Sequence, residues 1–245
     1  MTTTSVVLAP AGRADPVGPD APAAAPGTIE DFAPYGAQSV CDPVSKPGTT
    51  AMAETILEFY GVGRHGGTTR DCSVGGPSEH KDGRAWDWML SVSDLTEKAT
   101  AEQFIAWLTA AGPDGQDAYN ARRFGVMYVI WNQHIWSAGY ASSGWLPYSG
   151  SSPHTDHVHV SLSWSGAMKQ TSWWTGIAAG VDDGPQEAPP SAPEPAPVGE
   201  GHTVVLGDTL WEVSQATGIP VEVIMSVNQL TSDQILPGQV LSLPG

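Results

Sequence analysis

Between Pro185 and Pro197, six of thirteen residues are proline, interleaved with Ala and Glu. Each proline fixes φ and removes a backbone donor, so this stretch joins neither a helix interior nor a sheet ladder. It reads as an extended, semi-rigid spacer. No single core can run through such a segment, so the 245 residues must divide into a body before it and a small module after it. Residues 1–34, rich in Pro, Ala and Gly and without periodicity, read as a disordered leader. The expected organisation is a leader over 1–34, a body over 35–180, a linker over 181–200 and a module over 201–245. Nine of the ten Trp lie in the body, which marks it as the larger core.

Charge and cysteine usage narrow the function classes. The chain carries 26 acidic and 10 basic side chains, a formal charge of −16. Such a surface repels phosphate backbones, so no nucleic-acid partner is expected. No apolar run approaches the roughly 18–20 residues of a membrane span. Two cysteines, Cys41 and Cys72, are too few for a disulfide-rich scaffold or a four-Cys zinc site, and neither sits in a Cys-x-x-Cys motif. A disulfide between them is expected, with the oxidising compartment that implies. Met1 to Pro26 lacks a basic n-region and a continuous apolar h-region, so no export signal is visible. The disulfide outweighs that absence. The expected location is extracellular or in the cell wall, by a trimmed signal or a phage lysis route.

The body mixes helical and strand patterns. Met52, Ile56, Phe59 and Tyr60 share a helical face after Thr50, and Gly61 stops the run. Thr96 to Ala111 is a second helix with Phe104, Ile105 and Leu108 as its stripe; Thr100 and Gln103 have capping-box spacing, and Gly112-Pro113 ends it. Phe124 to Ser137 reads as a hairpin turning at Asn132-Gln133. From His157 to Trp164 residues alternate: Val158, Val160 and Leu162 face one way, His157, His159, Ser161 and Ser163 the other. Clustered strands with helices outside strict alternation predict an α+β fold.

Two segments carry ionisable groups at suggestive spacing: Ser78-Glu79-His80-Lys81-Asp82-Gly83-Arg84-Ala85-Trp86-Asp87-Trp88 and His154-Thr155-Asp156-His157-Val158-His159-Val160-Ser161. Imidazoles with carboxylates are the ligands of catalytic zinc. His157 and His159 lie two apart on one strand face. His80 and Asp87 lie seven apart across Gly83, which permits a tight turn. Two nitrogens and a carboxylate oxygen leave a fourth tetrahedral position for water, as a hydrolase needs. His154 reads as a loop histidine, His65 as solvent-exposed and His134 as packing or groove wall; Arg70 and Arg84 stay unassigned.

The string Ser78-x-His80-x-x-Gly83-x-Ala85-x-Asp87 resembles the first zinc motif of the D-Ala-D-Ala metallopeptidases, which share a zinc-peptidase fold group with lysostaphin-type enzymes and the hedgehog signalling domain. The wider context, with Asp-His-Val-His-Val-Ser over 156–161, is similar to a branch in secreted actinobacterial wall proteins. The resemblance implies a hedgehog/DD-peptidase-like domain with an antiparallel sheet, and Zn2+ bound by His80, Asp87 and His159. It leaves the general base open. The dipeptidase pattern places an acid at Asp156, one methylene shorter than the usual Glu; the His-x-His pattern of the lysostaphin-type and murein endopeptidases points to His157, which is slightly favoured.

From His202 onward the pattern is β-α-α-β: Val204-Val205, a helix from Asp208 as N-cap, a second helix from Pro220, and Val240 to Leu243. Gly-Asp-Thr-Leu over 207–210, Gly-x-Pro over 218–220, Val-Asn over 227–228 and Leu-x-Pro-Gly-Gln-x-Leu near the end resemble a LysM domain. That resemblance implies binding of N-acetylglucosamine polymers in a groove formed by Gly207, Asp208, Thr209, Leu210, Ile235, Leu236, Pro237 and Gly238.

Together these features predict a monomeric zinc metallopeptidase that cuts a stem-peptide or cross-link amide of peptidoglycan. Stem peptides would sit at the body and glycan at the module. The alternative is a catalytically inactive wall-binding protein on a degenerate zinc-peptidase fold. A glycan hydrolase with paired carboxylates would leave the His-x-His pair unexplained.

Overall fold

The computed structural model describes residues 16–24, 29–113, 115–150, 152–179, 201–205, 208, 210–219, 221–230, 235–236 and 238–243. The spacer lies outside this set. In the body the alternating segments become strands β1 (Arg64–Gly67), β2 (Ala85–Met89), β3 (Val126–Trp131), β4 (His134–Ser137), β5 (Leu146–Pro147) and β6 (Val158–Leu162). The periodic segments become helices α1 (Pro47–Tyr60), α2 (Leu95–Thr109) and α3 (Tyr119–Phe124), and the short turns α4 (Trp164–Ala167) and α5 (Ser172–Thr175) follow β6. The strands form one antiparallel sheet in the order β1-β2-β6-β3-β4-β5, so the last strand of the body is inserted between β2 and β3. The fold is mixed α and β on an antiparallel sheet, as expected.

The two faces of this sheet differ in chemistry because side chains alternate along each strand. One face carries Trp86, Trp88, Val129, Trp131, Val158 and Val160, buried against Met52, Ala53 and Ile56 of α1 and Phe104 and Leu108 of α2. Full burial of one such side chain contributes about 1.5–3 kcal/mol. Trp86 and Trp88 stack with ring centroids 5.7 Å apart, and Phe104 meets Trp88 edge-on at 5.5 Å. The other face carries Asp87, Tyr128, Ile130, His159 and Ser161. Helix α1 packs closely on α4 at Gly48; a Cβ there would sit 2.0 Å from the Gly166 carbonyl oxygen.

Three local expectations change. Helix α2 is capped by Asp94, whose Oδ1 accepts from the amides of Thr96 and Glu97 at 2.8 and 3.0 Å. Thr100 lies inside the helix, its hydroxyl donating to the Thr96 carbonyl. The first module strand is β7 (His202–Thr203), two residues earlier than Val204-Val205. The largest change concerns the leader. Residues 1–15 and 25–28 lie outside the described set, but residues 16–24 and 29–34 run along the body. Arg123 donates to the Pro22 carbonyl at 2.7 Å and Tyr60 to that of Val17 at 2.9 Å. Glu30 is buried, and its carboxylate accepts from the Ser172 amide, the Ser172 hydroxyl and the Ala179 amide. Composition hides this because the partners lie about 140 residues downstream.

The module comprises β7, α6 (Leu210–Thr217), α7 (Val221–Val227) and β8 (Val240–Leu241), the expected β-α-α-β order. Leu210, Val213, Ile219, Val223, Ile224 and Leu241 are buried in it. Asn228 ties its end together, donating to the Ser242 carbonyl and accepting from the Ser242 amide. Ser149, just after β5, donates to the Leu230 carbonyl at 2.6 Å. Among the described residues no helix is long and apolar enough to cross a membrane.

Glu30→Ala strands three donors at a buried site. It is expected to lower unfolding stability by about 2–4 kcal/mol, read as a lower denaturant midpoint at unchanged slope. An unchanged midpoint would show that the N-terminal segment is not part of the folded body.

Candidate metal centre

Register pairing brings the two sequence motifs together. Asp87 on β2 lies directly opposite His159 on β6, so both side chains leave the same face of the sheet. His80 arrives from a short 3-10 turn, Glu79–Asp82, just before β2. Ser78 caps that turn, and Gly83 ends it with φ 74°, where a Cβ would sit 2.0 Å from the Val44 carbonyl oxygen. Both the positive φ and the close approach require glycine there. Among the described residues, His80, Asp87 and His159 form a set with ligand atoms all within 4.8 Å of one another. His80 Nε2 lies 3.1 Å and His159 Nδ1 2.9 Å from Asp87 Oδ1.

These residues fit a metal ion. His80 is 2% exposed; its Nε2 faces Asp87 Oδ1 at 3.1 Å, and its Nδ1 has no hydrogen-bond partner among the described residues. An orphaned buried polar atom costs about 1–3 kcal/mol, and a cation between His80, Asp87 and His159 would give the buried His80 imidazole a bonded partner. His159 Nε2 lies 2.9 Å from Ser161 Oγ, a contact that holds the ring with Nδ1 toward Asp87. Tyr128 stacks on the His159 ring, centroids 5.5 Å apart, and its hydroxyl donates to the buried Glu79 carboxylate at 2.6 Å. Two imidazoles and one carboxylate suit zinc.

Burial would raise the Asp87 carboxyl, but the two imidazoles beside it prevail and hold it well below the usual carboxylate range. His159 is pushed down by burial, against the opposing pull of Asp87. Asp87 therefore stays ionised and His159 tends to neutral, the forms in which both ligate metals.

Two further histidines border the centre. His157 lies at the start of β6. Its Nδ1 is 2.7 Å from Asp156 Oδ1 and its Nε2 3.7 Å from Asp87 Oδ1. Asp156 thus accepts a hydrogen bond from Nδ1–H, which leaves the Nε2 lone pair toward the centre. Asp156 itself is largely exposed and points at His157. His154, read from the sequence as a loop residue, is buried and belongs to this group. Its ring centroid is 4.6 Å from that of His157 and 5.8 Å from that of His159. Its Nδ1 donates to the Ser152 carbonyl at 2.8 Å, and burial followed by the neighbouring imidazoles pushes it down to about 3. Its place three residues before His157, in the same short motif, was the sequence signal for it.

The unassigned residues separate cleanly. Arg84 is fully buried and structural: it donates to the Leu162, Gly36 and Ala37 carbonyls and to Asp82, and lies over the Trp164 ring. Burial pushes the Asp82 carboxyl up to about 6 despite Arg84. Arg70 and His65 are exposed. Cys41 and Cys72 form the expected disulfide. Of the expected module groove, Gly207, Thr209 and Pro237 lie outside the described residues. Leu210 is buried, Ile235 half-buried, and Leu236 and Gly238 exposed. Asp208 accepts from the Val205 amide and from His202 Nε2.

Comparison with known proteins divides the chain at the same place. Residues 41–159 match the family described as VldE, C-terminal domain, and residues 202–244 match the LysM domain. The chain thus carries a C-terminal LysM domain, which implies binding to peptidoglycan. The curated relatives share short stretches, mostly of the LysM region. The uncharacterized protein YkzQ of Bacillus subtilis (strain 168) is 43% identical over 44 residues, 18% of this chain and 59% of that protein. A probable N-acetylmuramidase of Lactococcus lactis subsp. cremoris (strain MG1363) is 52% identical over 42 residues, 17% of this chain and 10% of that protein. A probable endopeptidase p60 of Listeria monocytogenes serovar 1/2a is 44% identical over 48 residues, 19% of this chain and 10% of that protein. The chain therefore spans less than two thirds of each relative's length. No solved structure matches it at a significant level.

Elemental analysis of the zinc-loaded protein is expected to give one metal per chain, lost in His159→Ala. Ser161→Ala removes the outer partner of His159 and is expected to weaken metal binding by about 10- to 100-fold, read by competition with a chromogenic chelator. Full affinity in Ser161→Ala would show that the Nε2 contact does not orient the ring.

Proposed function

We propose that the protein is a zinc-dependent peptidoglycan peptidase that hydrolyses a stem-peptide or cross-link amide, with a body of the hedgehog/DD-peptidase kind held on the wall by its LysM domain. The observation that carries this reading is the convergence of His80, Asp87 and His159 beside two further imidazoles, on a chain that also carries a wall-binding module. Zinc held by the three ligands would supply an activated water and polarise the scissile carbonyl.

The chain's own groups supply the rest. His157 is the general base in this reading: Asp156 fixes its Nδ1 proton, leaving Nε2 to accept a proton at the centre and return it to the leaving amine. Asp156 is then a positioning residue, since its carboxylate is directed to His157 rather than to Asp87. His154, kept neutral by burial, presents an Nε2 fixed by the Ser152 carbonyl on the other ring nitrogen and orients a polar group of the reacting amide. The exposed carboxylates favour neutral or cationic peptide over anionic polymer. From Val198 to Gly245 there is no Lys or Arg, so sugar contacts rather than charge hold the module to the wall. The location that follows is the cell wall or the medium.

Digestion of purified sacculi, with mass spectrometry of the released muropeptides, tests the reading. New amino and carboxyl termini in a stem or cross-link are expected. His157→Ala should keep its metal and lose about 100- to 10,000-fold in rate, with Asp156→Asn losing less. Deleting residues 198–245 should slow release from sacculi and leave cleavage of small soluble muropeptides nearly unchanged, because tethering raises local concentration only on the insoluble polymer. An unaltered sacculus with the metal site filled would support the alternative, a wall-binding protein without peptidase activity.

A further inference from the structure

The opposite face of the sheet holds a second concave site. An open cleft of about 380 Å3 lies between helix α2 and the β3–β4 hairpin, with Glu102, Ile105, Trp131, Asn132, His134 and Trp145 among its lining residues. Its volume falls in the span of roughly 300–1,000 Å3 typical of small-ligand sites. Trp131 and His134 are directly paired across the hairpin on the helix-covered face, away from Asp87 and His159.

The cleft combines apolar area with hydrogen-bonding groups at its edge. Trp131 is 4% exposed and its indole N–H has no partner among the described residues. Ile105 is likewise buried, and Trp145 is half-buried. Glu102 is exposed and offers carboxylate acceptors; Lys98 approaches it at 3.7 Å. His134 Nδ1 lies 2.9 Å from the Asn132 carbonyl and donates to it, leaving Nε2 as an exposed acceptor. The Asn132 side chain adds an amide. Among the described residues no Lys or Arg lines the cleft.

The hairpin turns through two residues in the left-handed region, as tight two-residue hairpins commonly do. Asn132 and Gln133 both have positive φ, 47° and 63°, the pair of values a two-residue hairpin turn of the primed type needs. Their amides donate to the His154 and Pro153 carbonyls at 2.8 and 2.9 Å. The same turn therefore shapes the rim of the cleft and anchors the loop that carries His154.

We propose that this cleft binds a neutral saccharide unit of the wall glycan, separately from the LysM domain. The half-buried Trp145 indole offers an apolar surface for one face of a pyranose ring, with Trp131 forming the floor beneath, and carboxylate, amide and imidazole acceptors match its hydroxyl donors. Glu102 and the chain's charge of −16 oppose anionic ligands. The inference goes beyond the peptidase reading and depends on neither metal nor cleavage.

The test uses the full chain, freed of metal by chelation and labelled with 15N. It is titrated with soluble di-N-acetylglucosamine and, separately, with a soluble stem tetrapeptide. The disaccharide is expected to shift the indole N–H signals of Trp131 and Trp145, with LysM amides reporting their own site in parallel. Glu102→Lys, at an exposed position that leaves the fold intact, should weaken the indole response at least about tenfold, the worth of a hydrogen bond to a charged group, and leave the LysM response unchanged. Trp145→Ala should abolish the Trp131 response. Indole signals that stay still while LysM amides move would overturn the proposal, as would signals that move only with the tetrapeptide or respond equally in Glu102→Lys.

Discussion

The register between β2 and β6 is the constraint on which the centre depends. Asp87 pairs with His159, Trp86 with Val160 and Trp88 with Val158. Because side chains alternate, this one register sends the carboxylate and imidazole to one face and two tryptophans to the other. A slip of β2 by one residue would turn Asp87 toward Phe104 and the covering helices and send Trp86 and Trp88 to the opposite face. The aromatic core therefore does more than stabilise the body: the cost of unburying Trp86 and Trp88 is what holds Asp87 opposite His159.

The third candidate ligand needs a different kind of support, because His80 sits on a turn outside the sheet. Several links tether that turn. The Cys41–Cys72 disulfide joins two segments that both bond to it: the Asp42 amide donates to the Lys81 carbonyl, and Lys81 Nζ donates to the Cys72 and Gly75 carbonyls. The Arg70 amide donates to the His80 carbonyl itself. Arg84, buried beneath the turn, fastens the segment at Gly36 and Ala37 to the end of β6 through Leu162. Glu79 next to His80 holds Tyr128, which stacks on His159. The two candidate imidazole ligands are thus coupled through buried polar contacts as well as through Asp87.

Much of this was legible from local pattern. The hairpin at Asn132-Gln133, the alternation from Val158 to Leu162 and the glycine stop at Gly61 all follow from short-range rules that the tertiary structure leaves in place. What escaped the sequence depends on distant or conformational partners. Glu30 looks like part of a flexible leader until Ser172 and Ala179 are placed around it. Thr100 has the spacing of a cap, but the chain enters the helix earlier, at Asp94. His154 needs a left-handed backbone, φ 48°, and the Ser152 carbonyl to enter the centre. The relation of Asp156 to His157 is a side-chain contact, Oδ1 to Nδ1 at 2.7 Å, which adjacency in the sequence does not fix.

The most direct measurement is an anomalous difference map from crystals grown with zinc, collected on both sides of the zinc absorption edge. The expected result is one strong peak per chain, at about 2.0–2.2 Å from a nitrogen of His80, a nitrogen of His159 and an Asp87 oxygen, with His157 outside bonding distance. A peak bound instead by His154 or His157, or no peak while His159 stays hydrogen-bonded to Asp87, would contradict the assignment of these three residues as the metal centre.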